Sequence, residues 1–149
     1  MKILGIAFTA LTFFAAPTLA ADDDVLTMDT ATAFADAAQA VNDAIVNRGY
    51  SVDYHGFIGD MLKRTAADVG ATKEIYKDAQ FFTFCSAVVS RKVMEGDAGD
   101  IAYCPYVVFV YEKPDAGGKT TVGFRKLPAG GARDGVNELL TSIVEEAVK

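Results

Sequence analysis

Residues 81–112, FFTFCSAVVSRKVMEGDAGDIAYCPYVVFVYE, contain both cysteines of the chain, Cys85 and Cys104. In Phe81–Cys85 the side chains alternate between two faces of a predicted strand, and both faces receive phenylalanine. Aromatic side chains on both faces predict that both faces are covered. Tyr106–Tyr111 is rich in β-branched and aromatic residues, which favours a second strand.

Helix and strand patterns alternate on both sides of this stretch. In chain order, the predicted elements are a strand at Val25–Met28, a helix capped by Thr30 and stopped by Gly49, a strand at Tyr50–His55, a helix from Phe57 to Gly70, the strand at 79–85, a short helix capped by Ser86, the strand at 106–111, a strand at Lys119–Leu127 and a last helix beginning near Asp134. This order predicts an α+β fold with a single, mostly antiparallel sheet and helices packed on it. The remaining sheet face would be covered in a homodimer, because a symmetric contact buries the same patch on both copies.

The first twenty residues have the pattern of a secretory signal peptide. Lys2 precedes the apolar run Ile3–Ala16, and Thr18–Ala20 forms a small-residue cleavage site. We therefore expect a leader at residues 1–20, a single domain at 21–149, and a periplasmic or secreted protein. The net charge of −6 disfavours nucleic acid and anionic lipid as partners, and no later segment predicts a membrane span.

The two cysteines have two interpretations. In an oxidising compartment they predict a structural disulfide, which would stabilise the domain by about 3 kcal/mol through loop closure. Alternatively, Cys85 and Cys104 form a redox-active or sulfur-carrying pair. Cys85 comes just before a predicted helix, whose N-terminus would favour the thiolate. The chain has no C-x-x-C motif.

His55 is the only histidine and is a candidate ligand for a metal or haem iron. A noncovalent haem could be held by His55 from each subunit of a dimer. The strand pattern places Tyr50, Val52 and Tyr54 on one face and His55 on the opposite, polar face, where plain solvent exposure is the alternative. One histidine does not complete an ordinary structural zinc site.

Three further groups of residues carry polar or charged side chains that occur in binding sites. Arg125 is a candidate for binding an anion, or a surface charge with a packed stem. Four tyrosines are candidates for lining a pocket: Tyr54, Tyr103, Tyr106 and Tyr111. The alternative is that their rings pack at the edge of the core and their hydroxyls contact water. Glu95, Asp97 and Asp100 do not follow the spacing of a calcium loop, so they predict a solvated, flexible loop.

The central stretch resembles the domain of unknown function 302 (DUF302) family. Three motifs carry the resemblance: the strand 82–86, FTFCS; the strand entered through Cys104-Pro105-Tyr106 and ended by Val110-Tyr111-Glu112; and the strand end Gly123-Phe124-Arg125. The resemblance covers Val41 to Leu127, and Cys-Pro-Tyr places the chain closest to a subgroup with that motif. It implies a compact α+β fold that often forms dimers, and it implies no particular activity.

Catalytic motifs are absent from the sequence: there is no nucleophile elbow, phosphate loop or paired set of catalytic carboxylates. The pattern therefore predicts a non-catalytic module that binds a small ligand or a protein partner. The alternatives are the redox or sulfur-handling protein and the haem or metal binder described above.

Overall fold

The computed structural model describes residues 24–149, so the predicted signal peptide lies outside the described residues. The five strands are β1 (Val25–Thr30), β2 (Val52–Gly56), β3 (Asp78–Phe84), β4 (Tyr106–Glu112) and β5 (Thr120–Arg125). The four α-helices are α1 (Phe34–Val46), α2 (Ile58–Thr65), α3 (Ala87–Gly96) and α4 (Ala132–Ala147), and a 3-10 helix spans Ala98–Tyr103.

All five strands form one antiparallel sheet in the order β1-β5-β4-β3-β2. The predicted α+β fold with a single antiparallel sheet is thereby confirmed. Because β1 and β2 lie at opposite edges, α1 crosses the sheet between them and packs against α4. No helix within the described residues is both long and apolar enough to span a membrane.

The first face of the sheet carries α1 and α4, and it holds the hydrophobic core. The residues of strand β4 alternate in burial: Tyr106, Val108 and Val110 are buried in the core, and the residues between them are half-buried. Phe82 and Phe84 of β3 pair with Val108 and Tyr106 and are also buried. The apolar stripes of the two helices cover these side chains, as helical periodicity predicts.

The second face of the sheet is covered only at one corner, where α2 and the segment that follows it pack on the start of β3. Gly59 permits this approach, because a Cβ there would lie 2.7 Å from the backbone nitrogen of Ala79. The homodimer that was expected to cover the rest of this face stays a prediction. Phe81 is only half-buried on this face, whereas Phe82 is in the core.

Two local predictions differ from the structure, and a third is confirmed. Thr30 does not cap α1; its hydroxyl pairs with Thr32, and the helix begins after Ala33. The segment 95–100 is not an irregular loop, because Glu95 and Gly96 end α3 and residues 98–100 begin the 3-10 helix. Asp100 is buried beside Arg133, 3.6 Å away. Ser86 was predicted correctly as a cap: its hydroxyl accepts from the backbone N–H of Val89 at 3.3 Å.

Candidate ligand-binding groove

Five aromatic side chains form a row across the second face of the sheet, which we call the aromatic row: Tyr54, Phe81, Phe109, Tyr111 and Tyr76. Neighbouring ring centroids are 5.7 Å apart for Tyr54 and Phe81, 6.0 Å for Phe109 and Tyr111, and 5.4 Å for Tyr111 and Tyr76. Phe81 and Phe109 are direct partners in the ladder of β3 and β4. The row therefore runs from the β2 edge to the segment after α2.

Two glycines let the phenylalanine rings of this row lie flat on the sheet. A Cβ on Gly56 of β2 would overlap the ring of Phe81. A Cβ on Gly123 of β5 would lie 2.6 Å from the ring of Phe109. Each ring therefore covers the bare backbone of a glycine on the neighbouring strand, and the second face presents ring surfaces instead of upright side chains.

A groove with a volume of about 330 Å³ follows the aromatic row between β1 and the segment after α2. That volume is within the usual range for small-ligand sites. The lining contains no charged side chain; it comprises Val25, Thr27, Ile58, Tyr76, Ala79, Gln80, Phe81, Phe109, Val110 and Tyr111. The groove is therefore suited to an apolar or aromatic molecule with few charges.

A second cavity of about 430 Å³ adjoins the groove, because Tyr76 lines both. It lies between α2 and residues 66–76. Just beyond it, Lys77 donates to Glu112 at 2.8 Å. This hydrogen bond and the attraction of the carboxylate raise the pKa of Lys77 above its ordinary value, so Lys77 is a charged group paired with Glu112.

Cys85 and Cys104 form the predicted disulfide, with their Cα atoms 6.5 Å apart. Phe84 and Tyr106 are the last paired residues of β3 and β4, so the bridge lies just beyond that pair. The bridge joins the two ends of the segment 86–103, which contains α3 and the 3-10 helix. Both cysteines are half-buried, and the Ser90 hydroxyl is 3.9 Å from the Cys104 sulfur.

The candidate anion and pocket residues next to the bridge do not form a pocket. The Arg125 guanidinium lies over the Tyr103 ring, 5.8 Å from its centroid. Tyr106 is buried in the core, and its hydroxyl accepts from Ser90 at 3.2 Å. The cavity among these residues measures only about 10 Å³, which is too small for a ligand. Of the four candidate tyrosines, Tyr54 and Tyr111 instead belong to the aromatic row.

His55 lies on the first face of the sheet, not on the polar face that was predicted. A bulge between Val52 and Tyr54 shifts the register, so that Tyr54 pairs with Thr83 on the second face and His55 pairs with Phe82 on the first. The imidazole stacks on Phe82 and lies tilted against Phe57, with centroid distances of 4.2 and 4.4 Å. Its Nε2 is 2.8 Å from the side-chain oxygen of Gln80.

A metal or haem iron bound through Nε2 of His55 would have to displace Gln80. Within residues 24–149, no group of three histidine, cysteine or acidic side chains is arranged to hold a metal ion. Asp97 accepts from the backbone of Gly99 at 2.8 Å, and Asp100 is paired with Arg133. These carboxylates have structural partners, in keeping with their mismatch to a calcium-binding pattern.

Sequence reasoning missed most of the groove, although one signal for it was present. Phe81 in β3 and Val107 and Phe109 in β4 alternate with core positions, so apolar side chains also lie on the opposite face of both strands. Gly123 interrupts a strand whose other positions carry side chains, and such a glycine often marks the close approach of another group. The long-range approach of Tyr76 to Tyr111 has no comparable signal in the sequence.

Among solved structures, that of a protein of the same fold is similar to this chain over most of its length. It is the crystal structure of an uncharacterized conserved protein DUF302 from Bacillus stearothermophilus, with a TM-score of 0.67 and 12% sequence identity. The match covers 85% of this chain and 98% of that chain. The two proteins share a fold. No family model and no curated protein match the sequence.

Proposed function

We propose that this chain is an exported, non-catalytic binding module of the DUF302 family and of its Cys-Pro-Tyr subgroup. Its function is to hold a small apolar ligand in the groove beside the aromatic row. The observation that carries this proposal is a groove of about 330 Å³ with aromatic walls and no charged lining residue. The shared fold and the three sequence motifs support the family assignment.

The energetics of the groove support an apolar ligand. Phe81, Phe109 and Tyr76 are only half-buried, so a ligand would remove aromatic surface from water. Burial of apolar surface contributes roughly 25 cal/mol per Å², and aromatic pairs add about 1 kcal/mol when they stack. Val25 at the rim is 47% exposed and gives an entering molecule further apolar contact.

The first prediction is that Val25→Arg weakens the binding of Nile red, an uncharged apolar dye, at least tenfold. A guanidinium at the groove must either lose water or occupy the space of the ligand, and both oppose binding. Fluorescence titration of the mature protein measures the effect. Val88→Arg is the matched control, because Val88 is 79% exposed on α3, away from the groove. Equal affinities in the two variants would contradict the assignment of the groove.

A homodimer formed through the second face would occupy the same surface as the apolar ligand. Tyr54 is 60% exposed at one end of the aromatic row and Val25 is 47% exposed at the groove, so a second copy would bury both. Sedimentation of the wild-type protein and of Val25→Arg separates the two uses. A dimer that becomes a monomer on substitution supports the homodimer, whereas a wild-type monomer that binds the dye supports the ligand.

Export is proposed from the leader pattern at residues 1–20. Sequencing the N-terminus of the protein from the exported fraction tests it, and a mature chain starting at Ala21 is expected. A chain retained inside the cell with Met1 intact would contradict export.

A redox or sulfur-handling role for Cys85 and Cys104 is the second candidate function. It is supported by the partial exposure of both cysteine residues and by the Ser90 hydroxyl, 3.9 Å from the Cys104 sulfur. The third candidate, a haem or metal bound through His55, is supported only by the residue type. A visible absorbance that disappears in His55→Ala would favour it over both other functions.

The second prediction separates a structural bridge from a redox-active one. Replacing both cysteines with serine is expected to lower the free energy of unfolding by about 3 kcal/mol, because the bridge restricts the unfolded chain. The sheet should persist, since the pair of Phe84 and Tyr106 closes the ladder without the bridge. Urea unfolding measures the loss. A bridge that mild thiols reduce with no loss of stability would instead favour the redox role.

A further inference from the structure

A polar cavity of about 290 Å³ lies on the first face, at the edge of the sheet between α1 and strands β2 and β3. It is separate from the groove, which is on the second face. Its walls comprise Phe34, Ala35, Ala38, Gln39, Asn42, His55, Gln80 and Phe82. Four of these side chains can form hydrogen bonds, and none is lysine, arginine, aspartate or glutamate.

The hydrogen bonds around this cavity leave three acceptor groups without a protein donor within residues 24–149, beside N–H groups of the three side-chain amides. The Asp43 carboxylate can only accept, and it receives the side-chain amide nitrogens of Gln39 at 2.8 Å and of Asn42 at 3.4 Å. The carbonyl oxygens of these two amides have no protein donor within residues 24–149. The oxygen of Gln80 is already engaged by His55 Nε2. In that tautomer His55 Nδ1 is a third free acceptor.

The electrostatic surroundings favour a cation at these acceptors. Helix α1 contains Asp36 and Asp43 and neither lysine nor arginine. Asp36 lies in the first turn, where its charge offsets the positive end of the helix dipole. Asn42 lies more than one turn further along α1, where the positive end of the helix dipole no longer repels a cation. The chain as a whole is also negative, which draws cations to it.

The apolar part of the wall fits a ligand with an aromatic or aliphatic body. Phe82 is buried at the base and stacks on His55, and Phe34 lies at the first turn of α1. Aromatic faces attract cations as well as apolar groups. An ammonium group at the carbonyl oxygens would thus have its carbon chain against Phe34 and Phe82.

We propose that this cavity is a second binding site, specific for a small primary amine in its ammonium form. The carbonyl oxygens of Gln39 and Asn42 accept from the ammonium, His55 Nδ1 accepts from it or from a hydroxyl on the ligand, and Phe34 and Phe82 contact its apolar body. His55 acts here as a hydrogen-bond acceptor, with its Nε2 fixed by Gln80. The site does not depend on the apolar ligand of the groove.

The chain offers a direct spectroscopic test, because His55 is its only histidine. Its imidazole proton resonance reports on the cavity without assignment of other signals. Titration of the mature protein with 2-phenylethylamine should shift this resonance in a saturable manner. Phenylethanol and phenylacetate have similar bodies with a neutral or negative head group, and they should shift it at least tenfold more weakly. Equal responses to all three compounds, or no response to the amine, would overturn the proposal.

A matched pair of variants tests the acceptor assignment. Asn42→Ala removes one carbonyl acceptor and should weaken amine binding about tenfold, because hydrogen bonds to charged groups are among the stronger ones. Asn47→Ala makes the same change at the C-terminal end of α1, outside the cavity, and should leave the affinity unchanged. Thermal unfolding checks that both variants are folded. An unchanged affinity in a folded Asn42→Ala protein would overturn the site.

Discussion

Replacing Phe84 with alanine is expected to lower the free energy of unfolding by about 4 kcal/mol, as for other fully buried phenylalanines. Phe84 has no exposed surface, and it stacks on Tyr50 at 5.4 Å and meets the edge of Tyr106 at 5.8 Å. Its neighbours belong to different elements, so they cannot all move into the space left by the ring. Urea unfolding monitored by circular dichroism measures the change.

Phe57→Ala is the control for this prediction. Phe57 is 48% exposed, and its ring contacts His55 at the edge of the sheet. Its loss should cost at most about 1 kcal/mol, since only one aromatic contact and part of the apolar surface are removed. If the two substitutions had equal costs, the ring of Phe84 would not be part of the closely packed core.

Gly123→Ala is expected to destabilise the protein by about 3 kcal/mol, at the upper end of the usual range for overpacking. The added Cβ would overlap the Leu26 carbonyl oxygen and lie 2.6 Å from the Phe109 ring. The carbonyl belongs to backbone that is paired between β1 and β5, so it cannot move without opening that ladder. The ring of Phe109 would also be lifted from the sheet, which should reduce Nile red binding in the groove.

Gly135→Ala makes the same change where no atom obstructs it. Gly135 is exposed within α4, and a Cβ there would meet nothing within 4 Å. Alanine is the better helix former by about 1 kcal/mol, so this variant should be more stable than the wild type. A loss of stability of similar size at both glycines would contradict the steric explanation for Gly123.

The sequence was sufficient for the fold class because its strands and helices carry local patterns of different period. The alternation in Tyr106–Tyr111 and the helical stripe of α4 are set by neighbours in the chain, and burial of one face of each requires a layered α+β arrangement. The disulfide was predicted from composition, since two cysteines allow a single pairing within the chain.

The candidate sites were less predictable, because they depend on register and on distant segments. A single bulge in β2 moved His55 to the first face and Tyr54 to the second, and alternation alone assigned both wrongly. The groove requires Tyr76 to approach Tyr111, and the amine cavity requires α1 to lie beside Gln80. No local sequence pattern predicts either of these long-range contacts.

The sequence by itself thus determined the order of elements, the single antiparallel sheet and the bridge between Cys85 and Cys104. Only the tertiary structure decided which side chains share a cavity. The physical reason is that hydrophobic periodicity specifies which face of an element is buried, whereas a site depends on how faces from separate elements meet. Gly56 and Gly123 illustrate the difference: their place in a strand is local, and the rings that cover them come from the neighbouring strands.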